Sequence, residues 1–213
     1  MLDNYTIVIP ARRDSKGVPF KNRKLIGQTL SVIPIELRDK VLISTNDEEI
    51  IERFENQFRI FIRNENNCRD SSSTKSAMLE TIREVYTENV IMIYNTYPER
   101  TWEDIQRAVK FFEERDAASM LCKKEVSISP FLMMYDKGDH GEQVISHNLY
   151  RRQDYPKCFE ISHFVSIFSK KELVNLNNNL YNKNTVFLKI DNPIDIDTKE
   201  DLEKYNEKNK SNS

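Results

Sequence analysis

The chain has 213 residues, 38% of them hydrophobic and 31% charged, which makes it a polar globular chain long enough to bury a core and sized for one domain. Its 32 Lys and Arg against 34 Asp and Glu leave a net charge of −2, so bulk charge does not hold it to nucleic acid. Four glycines and seven prolines exclude collagen-like and linker-like chains.

Strands and helices alternate along the chain. The N-terminus holds one apolar run, Ile7–Pro10, too short for a signal peptide or a membrane span. Tyr5–Pro10 reads as a buried parallel strand. Val41–Ser44 is a second strand; Asn46 then caps a helix with Glu49 three residues on, and Ile50, Ile51 and Phe54 share one face. Arg59–Ile62 is a third strand. From Ser76, the apolar residues Met78, Leu79, Ile82, Val85 and Tyr86 recur at a helical period. Val90–Tyr94 is a fourth strand. Thr101 opens a helix carrying Trp102, Ile105, Val109 and Phe112, with Asp104 near its N-terminus. Ala118–Cys122 is a fifth strand. Residues 126–160 carry two of the three histidines and little period. Phe164–Phe168 and Val186–Leu188 read as later strands, and Thr198 opens a last helix through Leu202 and Tyr205. The polar tail, 206–213, is expected to fray.

This alternation predicts βαβ crossovers and an α/β fold with a mostly parallel sheet, the chain 1–213 forming one domain. Cys68, Cys122 and Cys158 are far apart, with no CxxC and no zinc spacing to histidine, so reduced packing thiols in a cytoplasmic protein are expected.

In such sheets ligands bind beyond the carboxyl ends of the strands. The segment after the first strand runs Ala11-Arg12-Arg13-Asp14-Ser15-Lys16-Gly17-Val18-Pro19-Phe20-Lys21-Asn22. Its cations and backbone amides suit a triphosphate. It matches neither the Walker nor the dinucleotide glycine pattern, and a solvated basic turn is the other reading. Near the C-terminus, Asp195 and Asp197 lie at i and i+2. In an extended stretch they face the same side and can converge on one divalent ion; alternatively, Asp197 and Thr198 only cap the last helix. The run Arg151-Arg152-Gln153-Asp154 either grips a carboxylate or is a surface charge run.

Five ordered segments resemble one family, the CMP-sialic acid synthetases (N-acylneuraminate cytidylyltransferases). Ala11–Asn22 matches its A-R-x-x-S-K-G-x-P-x-K-N loop. Ser44-Thr-Asn-Asp-Glu-Glu-Ile50 is similar to its S-T-D-D-E-E-I. Arg63, with Asp70 and Ser73, resembles its cytidine loop. Arg151-Arg-Gln-Asp-Tyr-Pro156 is close to its R-R-Q-D-L-P, and Asp195-Ile-Asp-Thr198 with Glu200-Asp-Leu202 matches its D-I-D-T-x-E-D-L.

The resemblance implies a Rossmann-like nucleotidyltransferase sheet with a small dimerisation element, set here at 126–160. It implies transfer of CMP from CTP to the anomeric hydroxyl of a sialic-acid-like sugar acid, with Mg²⁺ as cofactor and a homodimer as the working form. Arg12, Lys16 and Lys21 are then catalytic; Ala11, Arg12, Ser15, Lys16, Gly17, Lys21, Asn22, Arg63, Asp70 and Ser73 bind the nucleotide. Tyr94, Arg100, Arg152 and Gln153 bind the sugar acid, Arg152 reaching the partner subunit's site, and Asp195 and Asp197 hold the metal.

The departures fall on the side expected to read the sugar. Where the family has L-Q-P-T-S-P-L-R-T, this chain has Ile93-Tyr-Asn-Thr-Tyr-Pro-Glu-Arg-Thr101. Tyr94 stands for the Gln that touches sugar and nucleotide, and lacks the paired donor and acceptor of an amide; Tyr97 replaces a Ser and Glu99 a Leu. The family's Asn-Gly pair is Ile161-Ser162, followed by His163, a packed or a catalytic histidine near the site. Between Leu25 and Val41 the chain is shorter than in the family, and Pro34 interrupts it. A nucleotidyltransferase for another keto-acid sugar or a sugar phosphate, and a non-catalytic nucleotide-binding relative, are the alternative readings.

Overall fold

The computed structural model describes residues 2–211. Seven strands form one sheet: β1 (Tyr5–Pro10), β2 (Val41–Thr45), β3 (Arg59–Ile62), β4 (Asn89–Met92), β5 (Ser119–Glu125), β8 (Phe159–Ser169) and β9 (Val186–Lys189), in the order β3-β2-β1-β4-β8-β5-β9. β6 (Met134–Asp136) and β7 (Gly141–Gln143) pair as a separate antiparallel hairpin. The sheet is mostly parallel, as the alternation predicts. The exception is β8, which runs antiparallel between β4 and β5. It is also longer than the sequence reading, beginning at Phe159 rather than Phe164.

The period-2 geometry of the strands sends side chains to two cores. Ile7, Ile9, Ile43 and Ile91 point to one face, against α1 (Lys21–Ser31), α2 (Glu48–Phe54) and α4 (Trp102–Glu114). Val8, Leu42, Val90 and Met92 point to the other, against α3 (Thr74–Thr81) and the turn around Leu173 and Leu176. A third cluster joins Val18 of the first loop, Leu25 of α1, Ile196 and Tyr205 of α5 (Lys199–Ser211). That cluster matters to the site, because it fixes the C-terminal segment onto the first loop.

Local expectations are corrected at several points. Asp47, not Asn46, caps α2, accepting from the Glu49 amide; the Asn46 side chain accepts from the Arg13 amide at 2.9 Å instead. α3 stops at Thr81 and gives way to a 3₁₀ turn over Ile82–Glu84, so Tyr86 is off the helix and exposed. α5 continues to Ser211, so residues 206–211 of the polar tail are helical; 212–213 lie outside the described residues. α1 follows the first loop with no capping side chain and with Phe20 left-handed (φ 53°) at its start; nothing in the sequence announces its beginning.

The irregular 126–160 segment has its own small frame. Phe131 stacks on Tyr155 at 5.7 Å between ring centroids, and His147 closes the group by bonding the Phe131 carbonyl at 2.7 Å. Among the described residues, no helix is long and apolar enough to cross a membrane.

Candidate active site

The chain steps outward from β1 to β2 and β3, then returns to lay β4 on the other side of β1. Such a reversal opens a crevice beyond the carboxyl ends of the strands. A cavity of about 400 Å³ occupies it, within the size range of small-molecule sites.

The loop after β1 forms one wall. Arg12, Ser15, Lys21 and Asn22 line the cavity. Asn22 donates to the Arg12 carbonyl at 2.7 Å and accepts from the buried Asn95 at 3.0 Å, so the loop after β4 holds the loop after β1. Arg12 pairs with Asp70 at 2.7 Å and Lys16 with the same carboxylate at 3.3 Å. Burial opposes ionisation of Asp70, but hydrogen bonds from Lys16 and Arg12 outweigh it and hold the carboxyl below its ordinary value.

The segment after β3 forms the second wall. Arg63 is buried, donates to the Asn67 carbonyl and leaves its Nε buried without a partner; burial draws its guanidinium below the ordinary arginine value. Ser73 lines the cavity, and its Oγ also caps α3 by accepting from the Ser76 amide at 3.1 Å.

Asp195 and Asp197 close the far side, and both line the cavity. The intervening Ile196 is fully buried in the third cluster, so the i, i+2 geometry turns both carboxylates the other way. Three contacts hold this segment. The Ile196 amide donates to Thr96 O at 2.8 Å. Lys21 Nζ donates to Ile196 O at 2.9 Å and to Asp197 Oδ1 at 2.8 Å. Gly17 packs so closely that a Cβ there would lie 1.9 Å from the Asp197 carbonyl oxygen. The cap of α5 is Thr198 with Asp201: the Asp201 amide donates to Thr198 Oγ1, and the Thr198 amide to Asp201 Oδ2. The Asp197 carboxylate therefore does not cap the helix. Burial raises the Asp195 carboxyl above its ordinary value, and the Asp197 charge pushes the same way. Asp195 Oδ1 is buried with no hydrogen-bond partner. Two neighbouring carboxylates, one with an orphaned oxygen, are a hard-oxygen donor set of the kind that would suit a divalent cation. Among the described residues, no cluster of three or more His, Cys, Asp or Glu stands ready for a metal; an ion held by this pair would need further ligands from substrate and water.

The β4–β8 side carries the aromatic rings of Tyr94, Tyr97 and His163. The Tyr94 hydroxyl lies 2.7 Å from Thr74 Oγ1, and its ring meets His163 edge-on at 5.7 Å. Tyr97 is buried, with its hydroxyl 3.1 Å from Ser162 Oγ.

Several residues named from the sequence stand elsewhere. The backbone of Ala11 is committed to β2: its amide donates to Ser44 O, and its carbonyl accepts from Thr45. Gly17 packs against Asp197 and does not line the cavity. The side chain of Lys16 is 80% exposed on the outer rim. Arg100 is buried, its guanidinium donating to the carbonyls of Phe164 and Tyr94; it braces the loop after β4 and does not reach the cavity. Arg152 and Gln153 are exposed and outside the cavity of the single chain. Glu99 is taken up by an ion pair with Lys208 of α5. Arg69, Thr74, Thr96 and Asn179 also line the cavity, without belonging to the site residues expected from the sequence. Arg69 adjoins Asp70, and its charge was the available signal; Asn179, in a run of asparagines, offered none.

A profile of the family described as cytidylyltransferase matches residues 6–210. No curated protein sequence matches the chain. Among solved structures, CMP:2-keto-3-deoxy-manno-octonic acid synthetase complexed with CTP superposes with a TM-score of 0.69 at 12% identity, covering 99% of this chain and 100% of that one. The 4-diphosphocytidyl-2C-methyl-D-erythritol synthase of Anaerococcus prevotii superposes at 0.62 with 14% identity, over 98% of each chain. A cytidylyltransferase from Leptospira borgpetersenii superposes at 0.58 with 15% identity, over 95% of this chain and 84% of that one. Identities this low establish the fold alone.

Proposed function

The chain belongs to the cytidylyltransferase family, and we propose that within it this enzyme transfers CMP from CTP to the anomeric hydroxyl of a nonulosonic, sialic-acid-like sugar acid, releasing pyrophosphate. The observation that carries the reading is one cavity shared by three parts: the basic loop of Arg12 and Lys21, the Arg63–Ser73 loop, and the Asp195/Asp197 pair.

The chemistry follows from these residues. A phosphoryl centre repels an oxygen nucleophile, so positioning and charge neutralisation supply most of the catalysis. Asp70 holds the Arg12 and Lys16 cations at one point of the loop, where a triphosphate would take over their charge. Lys21 is buried between Ile196 O and Asp197; its ammonium would bind phosphate while keeping the carboxylate segment in register. Arg63 and Ser73 face the nucleoside end, where the Arg63 Nε still lacks an acceptor. Asp195 and Asp197 are the residues that would hold Mg²⁺, which when bound neutralises phosphate charge. Arg152 and Gln153, outside the cavity of their own chain, would complete the site of a partner subunit in a homodimer built on residues 126–160.

A second reading, a keto-acid sugar of another skeleton, draws on Tyr94 and Tyr97 in the cavity wall and on the likeness to the 2-keto-3-deoxy-manno-octonic acid enzyme. Pyrophosphate release from CTP and Mg²⁺ with a panel of acceptors tests both. Turnover with a nonulosonic acid is expected. Turnover confined to an octonic acid selects the second reading, and turnover confined to sugar phosphates overturns both.

A further inference from the structure

We infer that His163 is the residue that reads the acceptor: its Nε2–H is an uncharged donor set to receive an oxygen of the sugar acid, a hydroxyl or carbonyl. The inference rests on the acceptor reading above and adds a specificity determinant to it.

The position of His163 comes from an irregularity in the sheet. Along β5 and β8 the register passes from Met120↔Ile167 to Cys122↔Ser162. Residues 163–166 therefore stand opposite Leu121 alone. A bulge of this kind bends the strand and re-aims a side chain. Here it brings His163 to the cavity wall, beyond the last β4–β8 pair, Met92↔Ser166. β8 lies across β4 from β1, whereas the loops carrying Arg12 and Arg63 follow β1 and β3. Tyr94 stands between the two sides, bonded to Thr74 on one and edge-on to His163 on the other. His163 thus faces the half of the cavity left for the acceptor.

The tautomer turns on Ser166. That hydroxyl is fully buried, and its hydrogen-bond partner is His163 Nδ1 at 3.2 Å. With Ser166 donating to Nδ1, the buried hydroxyl's proton is satisfied and the ring proton sits on Nε2; this is the tautomer the proposal takes. Among the described residues, Nε2 has no partner. Burial pushes the imidazolium pKa down to about 4, so the ring is neutral at neutral pH and a weak base. A donor of this kind selects for an oxygen in one place; an acceptor lacking that oxygen leaves the N–H unpaired.

The test compares His163→Gln, His163→Phe and Ser166→Ala in the full-length enzyme, with CTP affinity measured by calorimetry and acceptor kinetics by pyrophosphate release. Gln can donate from the same place, whereas Phe cannot. His163→Phe is expected to lower acceptor kcat/KM about tenfold, the size of one lost hydrogen bond, with CTP affinity unchanged and His163→Gln close to wild type. Imidazole nitrogen NMR, assigned by the signal lost in His163→Gln, is expected to show the Nε2–H form, and a mixture of tautomers in Ser166→Ala. An Nδ1–H ring in the wild type overturns the proposal whatever the kinetics. So do equal losses in Gln and Phe, which mark a proton-transfer or purely structural role, and loss of CTP affinity in His163→Phe, which puts the ring on the nucleotide. A wild type that binds CTP yet turns over no keto-acid sugar overturns the acceptor reading itself, and this proposal with it.

Discussion

Gly17 and Asp197 touch across 180 positions of sequence, and the contact is between backbones. The glycine keeps no unusual dihedral; what it supplies is the absence of a Cβ where the Asp197 carbonyl sits 1.9 Å from the point a Cβ would occupy. Gly17→Ala should therefore push the carboxylate segment off the loop, destabilising the protein by about 1–3 kcal/mol and lowering kcat more than it changes CTP affinity. Thermal melting and CTP titration separate these. Asp197→Asn keeps the size and removes the charge. Turnover should fall by about a hundredfold or more while the melting temperature stays near wild type, and near-normal pyrophosphate release in Mg²⁺ would remove Asp197 from the metal site. His163 gives a pH signature. Its folded value of about 4 lies below the ordinary histidine value, so the unfolded chain takes up a proton that the folded ring refuses. Stability is unaffected by this group above the unfolded value and is lost as pH falls from there toward the folded one. The melting temperature of His163→Phe should fall less steeply across that acid window than that of the wild type; parallel slopes would show that the ring is not held neutral.

At the scale of elements, caps and the bulge do different work. α4 begins with a reciprocal box: Thr101 Oγ1 accepts from the Asp104 amide, and Asp104 accepts from the Thr101 amide. The pair is legible in the sequence because both partners lie within one turn. Thr101→Ala should cost about 1 kcal/mol and leave both KM values unchanged, since the box is outside the cavity; a change in acceptor KM would show that α4 transmits to the loop braced by Arg100. α1 was not legible, because its entry depends on a left-handed Phe20 with no capping side chain. Nor was the direction of β8. The apolar run Phe164–Phe168 fits a strand in either sense, and the antiparallel pairing with both β4 and β5 is decided by what lies on either side of it.

The whole molecule carries the prediction about assembly. Arg152 and Gln153 lie outside the cavity of their own chain, next to a segment with exposed Met134, Tyr135, Leu149 and Tyr150, an apolar surface of the kind that marks interaction sites. If Arg152 completes a partner's site, mixing Arg152→Ala with Asp197→Asn chains should give more activity at low acceptor concentration than either variant alone, because one site of the mixed dimer combines both native residues. Subunit exchange with no such gain, or full turnover by a monomer, would exclude the shared site. Arg152→Ala should also raise acceptor KM and leave CTP binding nearly intact.

The sequence by itself determined the sheet class, most strands, the basic loop and the Asp-Ile-Asp segment. These are written in periods and short motifs, where local sterics and burial act within a few residues. Tertiary structure alone decided which members of those motifs reach the cavity. Ala11, Gly17 and Arg100 sit inside recognisable motifs, yet their polar groups or their space are committed to Ser44, Asp197 and Phe164, partners distant in sequence. His163 reaches the cavity only because a register slip between two strands turns it there. A motif specifies residue types; which side chain faces solvent, core or ligand depends on packing between segments that no local pattern encodes.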